Sequence, residues 1–182
     1  MSAPTLPAPA LPFPDLCIRP YQADDAEAFA QAVRESVASV GPWMPWCHAA
    51  YTVDEAHAWF ALCERERAAG SAFEFGLFDA GGALLGGAGL NQINRQHNFC
   101  NLGYWVRASR QRRGVARGAV RLLAGYGFEE LGLTRIEIVI ALGNTASEAV
   151  ALGAGAVREG VARNRLCING QAQDATMFGL LP

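Results

Sequence analysis

Val106-Arg107-Ala108-Ser109-Arg110-Gln111-Arg112-Arg113-Gly114-Val115-Ala116-Arg117 is the stretch that decides the fold. Before it, Phe99–Val106 reads as a strand. After it, Gly114–Leu131 carries Val115, Ala119, Leu122, Leu123 and Tyr126 at helical spacing. A strand-to-helix turn aims several unpaired backbone N–H groups at one point, at the positive end of a helix dipole, and this arrangement binds phosphate. Gly114 and Ala116 keep bulk away from those amides. Between Arg107 and Arg121 lie six arginines and no acid, a strong local field in a chain of formal net charge −2. The arginine spacing alone does not separate a bound small anion from a nucleic-acid phosphate or a solvated basic face. The chain contains no lysine, so a Walker-type phosphate loop is excluded. No G-x-G-x-x-G follows the first strand, which disfavours a dinucleotide fold.

Outward from this turn the elements follow from period and punctuation. Towards the N-terminus, Ala72–Asp79 and Leu84–Ile93 form a predicted hairpin around Ala80-Gly81-Gly82. Thr52-Val53-Asp54-Glu55 is a capping box that opens a helix to Ala69, ended by Gly70. Ahead of it, Gly41-Pro42-Trp43-Met44-Pro45-Trp46-Cys47-His48 is a loop. A first helix, capped by Asp24 or Asp25, is expected to run to about Ser36 with Phe29 and Val33 on one stripe. Leu16–Arg19 is a short strand stopped by Pro20. Towards the C-terminus, Gly132 stands where the long helix should be capped. Ile136, Ile138 and Ile140 alternate in a strand, and Thr145-Ala146-Ser147-Glu148 opens a short helix to Gly153. Strands near Ala156–Leu166 and Ala172–Leu181 complete the set. The sum is α+β: one mixed sheet covered by helices.

Composition sets the limits. At 182 residues the chain is long enough to bury roughly two-thirds of its unfolded surface in one core. Two segments are expected: a Pro-rich arm over 1–14 and a single domain over 15–182. The arm lacks the basic start and continuous apolar run of a signal peptide, and no stretch of about 20 apolar residues suits a membrane, so a cytoplasmic location is expected. The five cysteines include no CxxC or CxxH pair, so no metal site is expected and buried free thiols are the simplest reading. The slightly acidic balance argues against nucleic acid as the partner.

Gln111-Arg112-Arg113-Gly114-Val115-Ala116 is similar to the Q/R-x-x-G-x-G/A signature of the GNAT superfamily of acyl-CoA-dependent N-acetyltransferases. Gly103-Tyr104-Trp105-Val106 ahead of it resembles the RimJ/RimL branch, which acetylates ribosomal-protein N-termini. So do the loop Trp43-Met44-Pro45-Trp46, the pair Asn144 and Ser147, Glu159-Gly160 and Asp174. The resemblance implies a twisted, mostly antiparallel sheet of about seven strands, splayed at the centre, with acetyl-CoA as cofactor and no metal. It further implies that Trp105 and Val106 contact the pantetheine and that the amides of Gln111, Arg112, Arg113, Gly114, Val115 and Ala116 hold the pyrophosphate. Asn144 and Ser147 would touch the cofactor from the far side of the splay.

Moving an acetyl group to an amine needs a proton source for the leaving thiol, an oxyanion donor and an acceptor for the amine proton. Ser147 matches the family's proton-donor position, and Tyr104 is the second candidate; each also has a purely structural reading. A backbone N–H near Trp105 or Val106 is the natural oxyanion donor. Some relatives carry a glutamate base where this chain has Leu166, a departure that leaves the base open. Glu74 alternates with Phe73 and Phe75, so it points away from their face, either towards the acceptor or into solvent. Trp43, Trp46 and His48 are candidates for the acceptor wall, which suits a peptide terminus or apolar amine better than a polycation. The expected activity is acetyl transfer to a protein or peptide N-terminal amine or a small amine. A catalytically weak CoA-binding sensor is the alternative, and a homodimer is left open.

Overall fold

The computed structural model describes residues 16–182; the expected Pro-rich arm lies outside them. Period-two apolarity gives seven strands: β1 (Cys17–Arg19), β2 (Phe73–Phe78), β3 (Leu84–Asn94), β4 (Phe99–Val106), β5 (Arg135–Ala141), β6 (Val157–Ile168) and β7 (Gln171–Leu180). Helical spacing gives α1 (Ala26–Val40), α2 (Val53–Ala69), α3 (Val115–Glu129) and α4 (Thr145–Ala154). They form one sheet in the order β1-β2-β3-β4-β5-β7-β6, antiparallel at every junction except β4–β5.

Alternation along the strands sorts side chains into two cores. Leu90, Leu102, Ile136, Ile138 and Phe178 pack with Val120 and Leu123 of α3 on one face. Phe78, Leu84 and Trp105 pack with Phe29 and Val33 of α1 on the other. Leu84 and its neighbour Leu85 enter opposite clusters, as a pleated strand requires.

The β4–β5 junction breaks the pattern. Parallel pairing joins Phe99, Cys100 and Asn101 to Arg135, Ile136 and Glu137, and extends no further. Beyond that point β4 stays with β3 to Val106, and β5 stays with β7 to Ala141. The two strands therefore diverge, and the edge of β4 from Leu102 to Val106 that faces β5 has no strand partner among the described residues.

Several boundaries differ from the sequence expectation. Helix α1 continues past Ser36 to Val40, because the Ser36 hydroxyl donates to Ala32 O inside the helix. The helix ends instead at Gly41, the residue before Pro42. Asp25 makes no side-chain cap on α1; its carboxylate binds Arg19 and accepts the Gln22 N–H. The cap of α4 is Asn144, whose Oδ1 accepts the Ser147 N–H, and its end is Gly155 at φ 105°. Cys47, Cys63 and Cys100 are buried, but Cys17 and Cys167 are exposed because they lie on the two edge strands.

Two glycines of α3 separate packing from helix propensity. A Cβ on Gly127 would lie 2.8 Å from Ile136 Cδ1 and 3.2 Å from Leu90 Cδ1, both on fully buried residues, whereas one on Gly125 would meet nothing within 4 Å. Gly125→Ala is expected to raise stability by about 1 kcal/mol. Gly127→Val should lower it by about 1–3 kcal/mol. Urea unfolding of the two variants beside the parent checks both signs.

Candidate active site

The turn between β4 and α3 is held open by its neighbours. After a 3-10 turn at Ala108–Arg110, Arg112 (φ 61°) and Gly114 (φ 79°) are left-handed, and α3 starts at Val115. Alternation of this kind turns successive amides towards one side. A stripe on α1 fastens the turn. Glu35 accepts from Arg107 Nη2 at 2.6 Å and Nε at 3.1 Å, and from the Ser109 N–H and hydroxyl at 2.9 and 2.6 Å. Ser36 Oγ accepts the Ala108 N–H, and Ser39 Oγ accepts from Gln111 Nε2. The Arg107 guanidinium holds the Glu35 carboxyl down at about 2. Arg110 approaches Asp79 at 3.9 Å, whereas Arg112 and Arg113 make no ion pair among the described residues.

Beside this turn, and reaching the gap between β4 and β5, is a groove of about 500 Å³. Its walls include Trp105, Val106, Gln111, Arg112, Gly114, Val115 and Ala116 on one side and Asn144 and Ser147 on the other. Arg113 is outside the lining. The Tyr104 hydroxyl lies 2.9 Å from both Ser147 Oγ and Ser147 O, and burial pushes this phenol up to about 12. Two residues that the sequence offered as alternatives thus form one hydrogen-bonded pair.

On the opposite face of the sheet is a cavity of about 290 Å³, walled by Tyr21, Phe29, Trp46, Tyr51, Trp59 and Trp105. Glu74 enters it over Gly89, where any Cβ would overlap the carboxylate. Asn91 Nδ2 donates to Glu74 Oε1 at 2.9 Å, and Asn101 Nδ2 donates to Asn91 Oδ1 at 2.9 Å. Burial raises the Glu74 carboxyl above its ordinary value, against the pull of Asn91 and Arg67. Met44, Tyr104 and Trp105 line both hollows, so the groove and the cavity meet at β4.

Residues 15–157 match the acetyltransferase (GNAT) domain. The chain belongs to the GNAT acetyltransferase family. Over 168 residues it is 30% identical to the "Putative ribosomal N-acetyltransferase YdaF" of Bacillus subtilis (strain 168), with 91% of each chain covered. A solved "putative ribosomal-protein-serine acetyltransferase" from Vibrio cholerae superimposes with a TM-score of 0.80 at 31% identity, over 93% of this chain and 95% of that one. The microcin C7 self-immunity acetyltransferase MccE, solved with acetyl-CoA and AMP, shares the fold at a TM-score of 0.85 and 18% identity, over 93% of both chains. The chain is an acyl-CoA-dependent N-acetyltransferase, and acetyl-CoA is its acyl donor.

The groove of this acetyltransferase suits that donor in three ways: a nest of amides at a helix N-terminus for a pyrophosphate, the edge of β4 left by β5 for an amide-bearing arm, and Arg112, which makes no ion pair among the described residues. Among the described residues there is no cluster of His, Cys, Asp or Glu that holds a metal ion, and no helix long and apolar enough to cross a membrane.

The other sequence candidates separate. Trp46 lines the cavity, packed edge-on to Trp105 at 5.5 Å, but Trp43 lines the groove. His48 lines neither. The preceding turn is anchored through Cys47 Sγ to Val33 O, and His48 Nε2 faces Glu55 Oε1 at 3.0 Å. Glu159 and Asp174 serve the frame: Glu159 pairs with Arg135, and Asp174 Oδ1 accepts the Asn164 N–H at a bulge of β6. Sequence reading missed Tyr21, Tyr51 and Trp59. Only Tyr51 left a local signal, since it precedes the N-cap Thr52 and the capping box, where a hydrophobic staple belongs, with buried Ala56 opposite.

Gly114→Glu forces a side chain into a left-handed position and adds negative charge to the turn. It is expected to weaken acetyl-CoA binding on the order of tenfold or more, as read by titration calorimetry. Glu35 predicts a pH effect on stability. Its folded value of about 2 lies below the ordinary 4.5, so its contribution is complete above about 4.5 and is lost as pH falls towards 2. The stability difference between the parent and Glu35→Gln should shrink over that interval in denaturant titrations.

Proposed function

We propose that this acetyltransferase acetylates a primary amine seated in the aromatic cavity, either a protein or peptide N-terminus or a small amine. The observation that carries the reading is the placement of the Glu74 carboxylate in the cavity and of the Tyr104–Ser147 hydroxyl pair at the groove, with Tyr104 and Trp105 lining both hollows. Acetyl-CoA, when bound, supplies an activated acetyl thioester. Every other requirement falls to the chain's own residues. The amides of Arg112 to Ala116 and the unpaired edge of β4 hold the donor, with Asn144 on the far side. A backbone N–H near Trp105 or Val106 is positioned for developing negative charge on oxygen.

On the acceptor side, Glu74 Oε takes the proton of the incoming ammonium, directly or through one water, so that the nitrogen lone pair is free. Asn91 steadies that carboxylate by donating to Oε1. On the donor side, Tyr104 Oη and Ser147 Oγ share protons at hydrogen-bond distance. At neutral pH the buried phenol stays protonated, so the pair faces the groove as a proton source. Alignment of two reactants in one passage can supply roughly 7–11 kcal/mol of the barrier. A carboxylate in the acceptor cavity also answers the difficulty raised by Leu166 and weighs against a turnover-deficient sensor. The ribosomal-protein names of the two 30%-range relatives keep a protein N-terminus in scope as acceptor.

Thiol release with acetyl-CoA and a panel of amines tests the assignment. Glu74→Gln should lower kcat/KM by about 10²–10⁴-fold with acetyl-CoA affinity unchanged. In the parent, kcat/KM should rise with pH through an ionisation above the ordinary glutamate value of 4.5, because only the carboxylate form accepts a proton. Arg67, Cys63 and Tyr21 also face this group; the titration is assigned to Glu74 if the limb vanishes in Glu74→Gln. A Glu74→Gln enzyme with parental rates would remove Glu74 from the mechanism.

A further inference from the structure

The acceptor cavity carries information about the shape and charge of what enters it. We infer that the preferred acceptor is a primary amine whose sole charge is the reacting nitrogen and whose carbon skeleton is flat and apolar, an arylalkylamine or a peptide beginning with an aromatic residue. This rests on the proposed role of the cavity as acceptor site.

Charge argues first. Among the described residues, Glu74 is the one charged group in the cavity lining. The remaining polar atoms belong to Asn91, to the hydroxyls of Tyr21, Tyr51 and Tyr104, and to the indole N–H groups. A single ammonium finds a carboxylate there, with aromatic faces beside it that favour a cation. A second ammonium on the same molecule would leave water with no counter-ion to receive it, which is the costly case for a buried charge.

Shape argues next. The walls are rings: Tyr21 stacks on Phe60 at 4.6 Å and 3°, Phe29 stands edge-on to Tyr21, Phe60 and Trp105, and Trp46 stands edge-on to Trp105. The floor is made by Gly87, Gly89 and Gly103 of β3 and β4, in register with Gly76, Glu74 and Trp105. Lacking a Cβ, Gly89 leaves room for the Glu74 carboxylate, and Gly87 for the Tyr21 hydroxyl and the Trp105 indole N–H. The polar groups therefore lie low in the cavity and the rings surround them. An engineered apolar cavity of about 150 Å³ already binds benzene, so about 290 Å³ takes one ring and a two-carbon amine arm. A polyamine seated there would leave its further nitrogens among the rings, with Glu74 as the one carboxylate of the lining among the described residues.

Trp59 is the specificity residue that follows from this reading. It reaches the cavity from α2 and is not among the residues that line the groove. The experiment compares kcat/KM of the full-length protein for 2-phenylethylamine, a Phe-Gly-Gly amide peptide, n-butylamine and spermidine, at saturating acetyl-CoA. The expected order places one of the two phenyl-bearing amines above n-butylamine, and both above spermidine by on the order of tenfold or more. Preference for phenylethylamine assigns a free amine, and preference for the peptide assigns an N-terminus. Trp59→Ala should raise KM for the phenyl-bearing acceptor more than for n-butylamine, with the KM for acetyl-CoA held. Spermidine equal to or above the phenyl amines would overturn the inference, as would a Trp59→Ala loss uniform across acceptors. In either case acetyl transfer itself would stand. If no amine in the panel releases thiol while acetyl-CoA still binds, the acetyl-transfer reading of the cavity falls, and this inference with it.

Discussion

Parallel pairing between β4 and β5 lasts three residues and then stops, and the rest of the molecule is arranged around that interruption. Had the two strands stayed together, the backbone from Leu102 to Val106 would have spent its hydrogen-bonding groups on β5. The groove and the cavity would then have been two dents on opposite sides of a closed sheet. Divergence leaves a strand edge unpaired among the described residues, and there the two hollows share Met44, Tyr104 and Trp105. Buried backbone polar groups need partners, so an edge left this way within a folded core is a place where a polar ligand completes the structure.

The edge is useful because what lies on either side of it is held still. Helix α1 does this for the donor side through Glu35, Ser36 and Ser39, whose hydrogen bonds tie the β4–α3 turn to the helix. The same helix runs directly into the loop carrying Trp43, Met44 and Trp46, which borders both hollows. In the cavity the Glu74 carboxylate is held by the side-chain amide of Asn91, which Asn101 on the next strand holds in turn, and it makes no ion pair among the described residues. The proposed role as proton acceptor rests on that arrangement. The stored arginine charge is also smaller than the one-dimensional count implies, since Arg107 and Arg110 are turned to Glu35 and Asp79.

What could be read from the chain alone follows the range of the forces involved. Strands, most caps and the β4–α3 turn depend on neighbours within a few residues, and Val106–Arg117 pointed to the fold and to the groove proposed for the donor. Asn144 was read as a ligand but is also a helix cap, because Asn and Thr stand together at the start of α4 and either could take that role. The depth of Glu74 was illegible for a non-local reason: it depends on Gly89 lacking a Cβ and on Asn91 and Asn101 across two strand junctions. Trp59 stands beside Phe60 on α2, where apolar residues are mixed with His57, Glu64 and Arg65 and form no stripe to mark its direction. His48 was read into the site by its nearness to the tryptophans, and the turn at Cys47 sends it elsewhere.

Because Met44, Tyr104 and Trp105 form a partition common to the two hollows, they are not at liberty to drift. On the proposed assignment, a change that refits them to a new amine also disturbs the thioester side. Tyr21, Tyr51 and Trp59 carry no such double duty. On the same assignment, that far wall can be recoloured while the chemistry stays intact.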